Sequence, residues 1–192
     1  MKTLTSALRT LGVLMALAIA AISCSSSSNG SSVTKAKAFA YTDPTSTTDW
    51  RLVRDSSSTD THLVLNLVGP TGSSAKGAGV TLLADATKAK WSVIGTDGQA
   101  VQNVAFNLGS GTPLVRGMVS GDALLAGVFQ KGGNPVTTSS PVIRVALDLN
   151  TQGNIASGTA IPISVAANSA KIVDASGATA DINLAVGQLL AN

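Results

Sequence analysis

The sequence lacks most of the residues that carry out acid–base, nucleophilic or metal chemistry. It contains one histidine, His62, one cysteine, Cys24, and ten acidic residues, all of them aspartate. Zinc sites need several cysteine or histidine ligands, and a Ser-His-Asp triad would have to use the single histidine without any G-x-S-x-G motif. Aspartate pairs could still hydrolyse a glycosidic bond, but these aspartates are scattered through turn sequences. The sequence therefore predicts a protein that is not an enzyme and uses no metal or cofactor.

Residues that favour helices are scarce as well. Glutamate is absent, whereas valine, isoleucine, threonine, glycine and serine are abundant, and this balance favours strands and turns. The chain has thirteen basic and ten acidic residues. Two of the basic residues, Lys2 and Arg9, lie within the first ten residues, and the rest of the chain, with eleven basic and ten acidic residues, is close to neutral. The sequence has no cluster of basic residues with aromatic residues between them, so we expect no nucleic-acid partner.

The first residues have the organisation of an export signal. Lys2 and Arg9 precede an uncharged apolar stretch, residues 11–22, which has the length of a secretory signal core and is short for a membrane span. The small residues Ala21 and Ser23 stand before Cys24, which a run of serines follows. This arrangement resembles a bacterial lipoprotein signal, although such signals usually have leucine at the position of Ala21. An ordinary cleaved signal peptide with the same cut is the alternative.

The lipoprotein resemblance implies that Cys24 becomes the acylated first residue of the mature protein and attaches it to the membrane. Ser25, where retained inner-membrane lipoproteins have aspartate, implies the outer membrane. We therefore divide the chain into a signal peptide, residues 1–23, a flexible serine-rich tether, residues 24–37, and one domain, residues 38–192.

The domain is predicted to be all-β. Residues 62–68 alternate, with Leu63, Leu65 and Leu67 on one face, and residues 142–149 alternate in the same way. Residues 120–122 indicate a hairpin connection, and Pro162 places its strand at a sheet edge or at a non-bonded position. About ten short strands at even spacing, with no long helix, predict an antiparallel sandwich.

The order of these segments resembles the cohesin-like β-sandwich family, whose fold is related to some carbohydrate-binding modules. The resemblance implies a jelly-roll sandwich of about nine to ten strands. Within residues 80–91, two predicted strands flank residues 85–88. These four residues resemble the Asp-Pro-x-Lys motif of the family, with Ala86 in place of the proline. The other similar segments are residues 124–129, 142–149, 163–177 and 184–189.

In cellulosomes, cohesin-like domains bind dockerins through one sheet face. The resemblance therefore implies a non-enzymatic, lipid-anchored envelope protein that binds an envelope or extracellular protein. Two alternatives stay open, a polysaccharide-binding module on the envelope and a scaffold lipoprotein of a secretion or pilus system. An exposed aromatic row would favour sugar. An aliphatic and small-residue patch would favour protein, and the example we expect is Ala105, Ala126, Val128 and Ala146.

Few aromatic residues are available for stacking on sugars. Trp91, Phe106 and Phe129 fall on apolar strand faces, so we predict that they are core residues. The remaining three, which lie near the tether, either form a sugar platform or pack on the sandwich as the chain enters it, and packing is favoured. These three are Phe39, Tyr41 and Trp50.

One segment has the spacing of a calcium-binding loop. Oxygen ligands occur at the first, third and fifth positions from Asp148, and Gly153 is at the sixth. The twelfth position is Thr159, where an EF-hand has a bidentate glutamate. We therefore interpret the segment as a tight polar turn. His62 is interpreted as an exposed polar residue at a strand start.

Overall fold

The computed structural model describes residues 33–107 and 114–192. The described residues form strands and turns and contain no helix, as their composition predicts. They form seventeen strands, numbered along the chain as β1 Phe39–Thr42, β2 Trp50–Arg54, β3 His62–Val68, β4 Ser74–Ala75, β5 Gly77–Ala84, β6 Ala89–Ser92, β7 Val101–Asn103, β8 Leu114–Ser120, β9 Ala123–Phe129, β10 Val136–Thr137, β11 Ile143–Leu149, β12 Thr159–Ala160, β13 Ile163–Val165, β14 Lys171–Val173, β15 Thr179–Asp181, β16 Leu184–Ala185 and β17 Gln188–Ala191.

Two sheets of six strands pack face to face. The first sheet has the order β16-β2-β3-β11-β6, and β7 also pairs with β11. The second has the order β15-β14-β5-β9-β8, and β13 also pairs with β5. Every pairing is antiparallel except that of β16 with β2. Two small sheets, β1-β17-β12 and β10-β4, complete the domain. The strand count exceeds the predicted one because several strands are only two or three residues long.

The core lies between the two sheets and follows the predicted alternation. In β11, Ile143, Val145, Leu147 and Leu149 are buried in it, whereas Arg144 and Asp148 are partly exposed on the other face. Side chains alternate between the two faces of a strand, so each core strand of the second sheet also presents a set of outward residues.

Turn residues and Pro162 set the connections between strands. The predicted hairpin is confirmed, since Ser120 pairs with Ala123 across the turn formed by Gly121 and Asp122. The strand predicted around Pro162 is divided into β12 and β13, which pair with β17 and β5 respectively. Proline has no N–H to donate to a ladder, so the chain changes sheets at this position.

The chain is in contact with the sandwich before the predicted start of the domain. Lys35 forms a bridge with Ala156, and Ala36 is buried and donates its N–H to the carbonyl of Ile155 at 2.8 Å. The Thr34 carbonyl accepts from the Ser157 N–H at 2.8 Å, so contacts begin within the segment that the sequence assigns to the tether, four residues before residue 38. The rest of that segment, from residue 24 to residue 32, and the predicted signal peptide lie outside the described residues.

The closing strand is fixed against the entry strand by Tyr41 and Gly187. The Tyr41 hydroxyl donates to the Leu52 carbonyl and accepts from the Gly187 N–H, both at 2.9 Å. A Cβ at Gly187 would lie 2.1 Å from the Thr42 carbonyl oxygen, so this position accommodates only glycine. Burial raises the pKa of Tyr41 to about 12, which keeps the hydroxyl protonated in this contact.

Candidate functional site

The outer face of the second sheet is unusually apolar. Four of its side chains, Leu83, Leu114, Met118 and Leu125, expose 36%, 54%, 58% and 38% of their surfaces. They lie on the three adjacent strands β5, β9 and β8, and Met118 pairs directly with Leu125. Scattered exposed aliphatic residues are ordinary, but a contiguous apolar patch on one sheet face marks an interaction site. We call this surface, together with the half-buried Phe129, the apolar face.

Glycines remove the side chains from the middle of this face. Gly77 pairs with Phe129, and Gly79 pairs with Gly127, so two adjacent strands carry no outward side chain at the latter pair. A Cβ added at Gly77, Gly79 or Gly127 would lie 2.3, 3.3 or 3.2 Å from a carbon of the Phe129 ring. The ring therefore rests on the backbone of three glycines, an arrangement in which an aromatic side chain covers otherwise bare strands.

A groove of about 320 Å³ runs across the apolar face above these glycines. Its sides are Leu125 and Phe129, which stand two residues before and after Gly127 on β9. Arg116 lies at one end and Lys171 at the other, because each is the next residue along the same row of strand pairs. The groove thus has an apolar floor and sides and a basic residue at each end.

The two basic residues differ in their partners. Lys171 forms an ion pair with Asp181 on the neighbouring strand β15, whereas the Arg116 guanidinium makes no hydrogen bond or ion pair with any residue in the described part of the chain. Ser169, which also lines the groove, donates its hydroxyl to the Ala166 carbonyl at 2.7 Å. The exposed Arg116 guanidinium is therefore the polar group of the groove that has no protein partner among the described residues.

The outer face of the first sheet is polar, and it carries a network of paired groups around Asp55, whereas the buried Nη1 of Arg51 on the same face has no hydrogen-bond partner among the described residues. Asp55 accepts hydrogen bonds from Ser57 and from Asn66, the latter at 2.7 Å, and pairs with Arg144 at 3.1 Å. Burial raises the pKa of Asp55, but the Ser57 and Asn66 hydrogen bonds and the Arg144 charge outweigh it and hold this pKa at about 2. Arg144 also donates to Asn66 and to Gln102. This network, which we call the Asp55 network, fixes strand partners in place.

The histidine belongs to a second polar cluster on the same sheet. His62 and Asp148 pair across β3 and β11 with Nδ1 and Oδ1 2.5 Å apart, and Ser92 donates to the other oxygen of Asp148 at 2.5 Å. Aspartate stands between serine and histidine, whereas a hydrolytic triad needs histidine in the middle. His62 is thus a paired and partly buried residue, and its prediction as an exposed residue is corrected.

Apart from Asp148, several of the aspartates that could have formed a carboxylate pair serve turns instead. Asp85 accepts from Thr87, Asp174 accepts from Ser176 and Ala178, and Asp122 accepts from the Ala86 N–H. Hydrogen bonds from the turn residues lower the pKa of Asp174. In the calcium-like segment the Asn150 amide donates to the Thr87 carbonyl at 2.8 Å. Within residues 33–107 and 114–192, no group of three potential metal ligands is brought together.

Most aromatic residues lie where the sequence predicts. Trp91 and Phe106 are buried at 6% and 3% exposure, so their assignment to the core is confirmed. Phe39 and Trp50 are buried as well, which confirms packing of the entry segment. Phe129 differs: it is on the outward row of β9, opposite to the core residues Ala126 and Val128, so its prediction as a core residue is wrong.

The patch predicted to bind protein is not on the surface. Ala126, Val128 and Ala146 are each 0% exposed, and Ala105 packs against the core. Of the four, Ala126 and Val128 lie on β9, and the outward residues of that strand next to them are Leu125 and Phe129, because a shift of one residue changes the face on which a side chain lies. One signal was present in the sequence: β9, ALLAGVF, is apolar at every position, which is typical of a strand with two apolar faces.

The anchor residue predicted from the sequence, Cys24, lies outside the described residues, so its acylation stays a prediction. Among the residues that the structure does describe, no helix is both long enough and apolar enough to cross a membrane.

The fold is similar to that of solved cohesin modules. The sixth cohesin from scaffoldin B of Acetivibrio cellulolyticus, in complex with a Cel5 dockerin, has a TM-score of 0.54 and 12% identity, over 72% of this chain and 95% of that one. This domain is a cohesin-like β-sandwich. A type II cohesin domain from the cellulosome of the same organism has a TM-score of 0.52 and 11% identity, with coverages of 75% and 94%.

A third cohesin, from a type II cohesin–X-dockerin complex of that organism, gives a TM-score of 0.52 and 12% identity, with coverages of 72% and 93%. No protein-family model and no curated protein matches the sequence. At such low identity the comparison shows the cohesin-like fold, and the function has to be inferred from the surface of this chain.

Proposed function

We propose that this chain is a non-enzymatic, lipid-anchored envelope protein whose cohesin-like domain binds another protein through the apolar face. The observation that carries the proposal is the exposure of Leu83, Leu114, Met118 and Leu125 on three adjacent strands. Burial of such side chains is the main favourable term in protein association. The solved cohesins in complex with dockerins support a protein partner for this fold.

The apolar face favours a helical partner. An extended peptide lying on apolar side chains would leave its backbone N–H and C=O groups without partners, which costs free energy. A helix forms these hydrogen bonds internally and can place an apolar stripe on the sheet. We therefore expect the partner to contribute an amphipathic helix to the contact.

Polysaccharide binding has less support from this surface. Sugar-binding surfaces use stacked aromatic rings together with polar groups, and Phe129 is the single aromatic residue lining the groove. Arg116, Lys171 and Ser169 are its polar side chains, and two of them already have partners. The protein partner is therefore the function that we propose.

Charged substitutions on the apolar face are expected to weaken partner capture by about tenfold or more, because each places a carboxylate in the centre of the contact. The acyl-free chain from Ser25 to Asn192 is used to capture proteins from its own envelope extract, with Leu125→Asp and Met118→Asp as variants. Val93→Asp is the matched control, since Val93 is 43% exposed but lies outside this face. The captured protein is then purified, and its affinity is measured for all four chains.

Equal affinity of the Leu125→Asp and Met118→Asp chains and the unmodified chain would move the binding site away from the apolar face. A glycan array is probed in parallel. Saturable binding of a polysaccharide that is abolished by Leu125→Asp would contradict a protein partner.

The lipid anchor has its own test. Replacing Cys24 with alanine is expected to shift the protein from the membrane fraction to the aqueous fraction, because each acyl chain contributes about 0.8 kcal/mol per buried methylene and two or three chains hold firmly. The measurement is fractionation with labelled palmitate, and Ser27→Ala is the control. Membrane attachment of the Cys24→Ala protein at the level of the unmodified protein would refute acylation at this residue.

A further inference from the structure

The groove on the apolar face has a defined shape because of the strand register. Lys171, Gly79, Gly127 and Arg116 form one row across four adjacent strands. The two central members have no side chains and the Phe129 ring lies over their backbone from one side, so the open part of the row is a depression between that ring and Leu125. Its volume of about 320 Å³ lies at the lower end of the range of ligand pockets and is suited to one large side chain.

The composition of the groove selects an apolar occupant. Leu114, Leu125 and the Phe129 ring are the large side chains that line it, and the Ser169 hydroxyl already donates to Ala166. A sugar buried here would lose hydrogen bonds to water and find few replacements, which is costly. An aliphatic or aromatic side chain has no such loss and gains contact with the Phe129 ring.

The positive charge of Arg116 at one end of the groove determines which partner residue is favoured next to the apolar side chain in the groove. Lys171 is already paired with Asp181, whereas Arg116 has no partner among the described residues. A partner that covers the apolar face would remove water from the Arg116 guanidinium, and a buried charge without a partner is strongly unfavourable. A carboxylate placed beside the guanidinium offsets this cost and can accept two hydrogen bonds from it.

We propose that this groove is the anchor site that sets partner specificity: it takes one apolar side chain of the partner helix, and Arg116 pairs with a carboxylate one helical turn from that anchor. The inference rests on the proposed function, because it concerns the same face. The inference specifies the partner sequence as well: an apolar residue with an aspartate or glutamate one helical turn before or after it. Arg116 is then the residue that discriminates among partners with similar apolar stripes.

A random peptide library displayed on phage tests the anchor site without knowledge of the natural partner. Selection is carried out on the acyl-free chain from Ser25 to Asn192 and, separately, on its Arg116→Glu variant. We expect peptides from the first selection to combine an apolar residue with aspartate or glutamate, and peptides from the second to have lysine or arginine instead. Peptides from the first selection should bind Arg116→Glu at least tenfold more weakly.

Two further variants separate this inference from the proposed function. Arg54→Glu makes the same charge change at an exposed residue outside the apolar face and should leave peptide affinity unchanged. Leu125→Asp should abolish binding of the selected peptides. If it does so while Arg116→Glu selects the same sequences as the unmodified chain, the anchor site is wrong and the face is still a binding face. If Leu125→Asp has no effect on the selected peptides, or if the library yields no binder, both proposals are overturned.

Discussion

Replacing Trp91 with alanine is expected to lower the free energy of unfolding by about 3–5 kcal/mol. The side chain is 6% exposed and belongs to the core between the two sheets. Its indole Nε1–H donates to the Asp122 carbonyl at 2.9 Å, and this hydrogen bond connects β6 of the first sheet with the β8–β9 turn of the second. The variant loses both the packing of the ring and this connection. Urea unfolding followed by circular dichroism measures the change.

Trp91→Phe is the matched control, because it keeps an aromatic ring in the core and removes the indole N–H. Its loss should be smaller than that of the alanine variant, and the hydrogen bond accounts for about 1 kcal/mol of it. The fluorescence emission maximum of the buried Trp91 indole is also expected at short wavelength. A Trp91→Ala protein that unfolds at the same urea concentration as the unmodified protein would contradict the placement of this residue in the core.

Alternation and turn residues were sufficient to predict the fold class. The apolar residues of β11 recur at every second position, and this periodicity belongs to a strand with one face on a core. Gly121 and Asp122 predict the hairpin that joins β8 to β9 because glycine accepts the positive φ of 56° found there. Such features depend on neighbouring residues, so the sequence contains all the information that they require.

The candidate site depends on strand register, which alternation alone does not determine. In β9 every residue is apolar, so the sequence indicates no preference between the row that contains Leu125 and the row that contains Ala126. Only pairing with β5 and β8 assigns Phe129 to the outside, on top of Gly77 and Gly79. For the same reason Arg116 could not be recognised from sequence as the end of a groove.

The two outer faces of the sandwich differ in how much aliphatic surface they expose. On the first sheet, Asp55 is paired with Arg144 and His62 is paired with Asp148. On the second sheet, aliphatic side chains are exposed and Arg116 has no partner within the described ranges. Charged groups that are already paired gain little from a new contact, whereas exposed apolar groups gain from burial. This difference is why we assign binding to the second sheet and a structural role to the Asp55 network.

Because of the Asp55 network, we expect the free energy of unfolding to fall in acid. In the folded protein the pKa of Asp55 is about 2, against 3.8 for an ordinary aspartate. A carboxyl whose pKa is lower in the folded state stabilises the fold above the unfolded pKa and loses that contribution as the pH falls towards the folded pKa. The difference corresponds to roughly 2 kcal/mol, which should disappear between about pH 4 and pH 2.

Asp55→Asn is therefore expected to be less stable than the unmodified protein by about 2 kcal/mol at neutral pH and to equal it near pH 2. The reason is that asparagine cannot hold the charge that Arg144, at 3.1 Å, and the Ser57 hydrogen bonds stabilise. Asp85→Asn is the matched control. Hydrogen bonds from Lys88 and Thr87 lower the pKa of Asp85 to about 2 as well, but that carboxylate is more exposed to water. Chemical unfolding at several pH values measures both variants. A constant stability difference between Asp55→Asn and the unmodified protein at every pH would contradict this assignment, because loss of packing or of a neutral hydrogen bond does not depend on protonation.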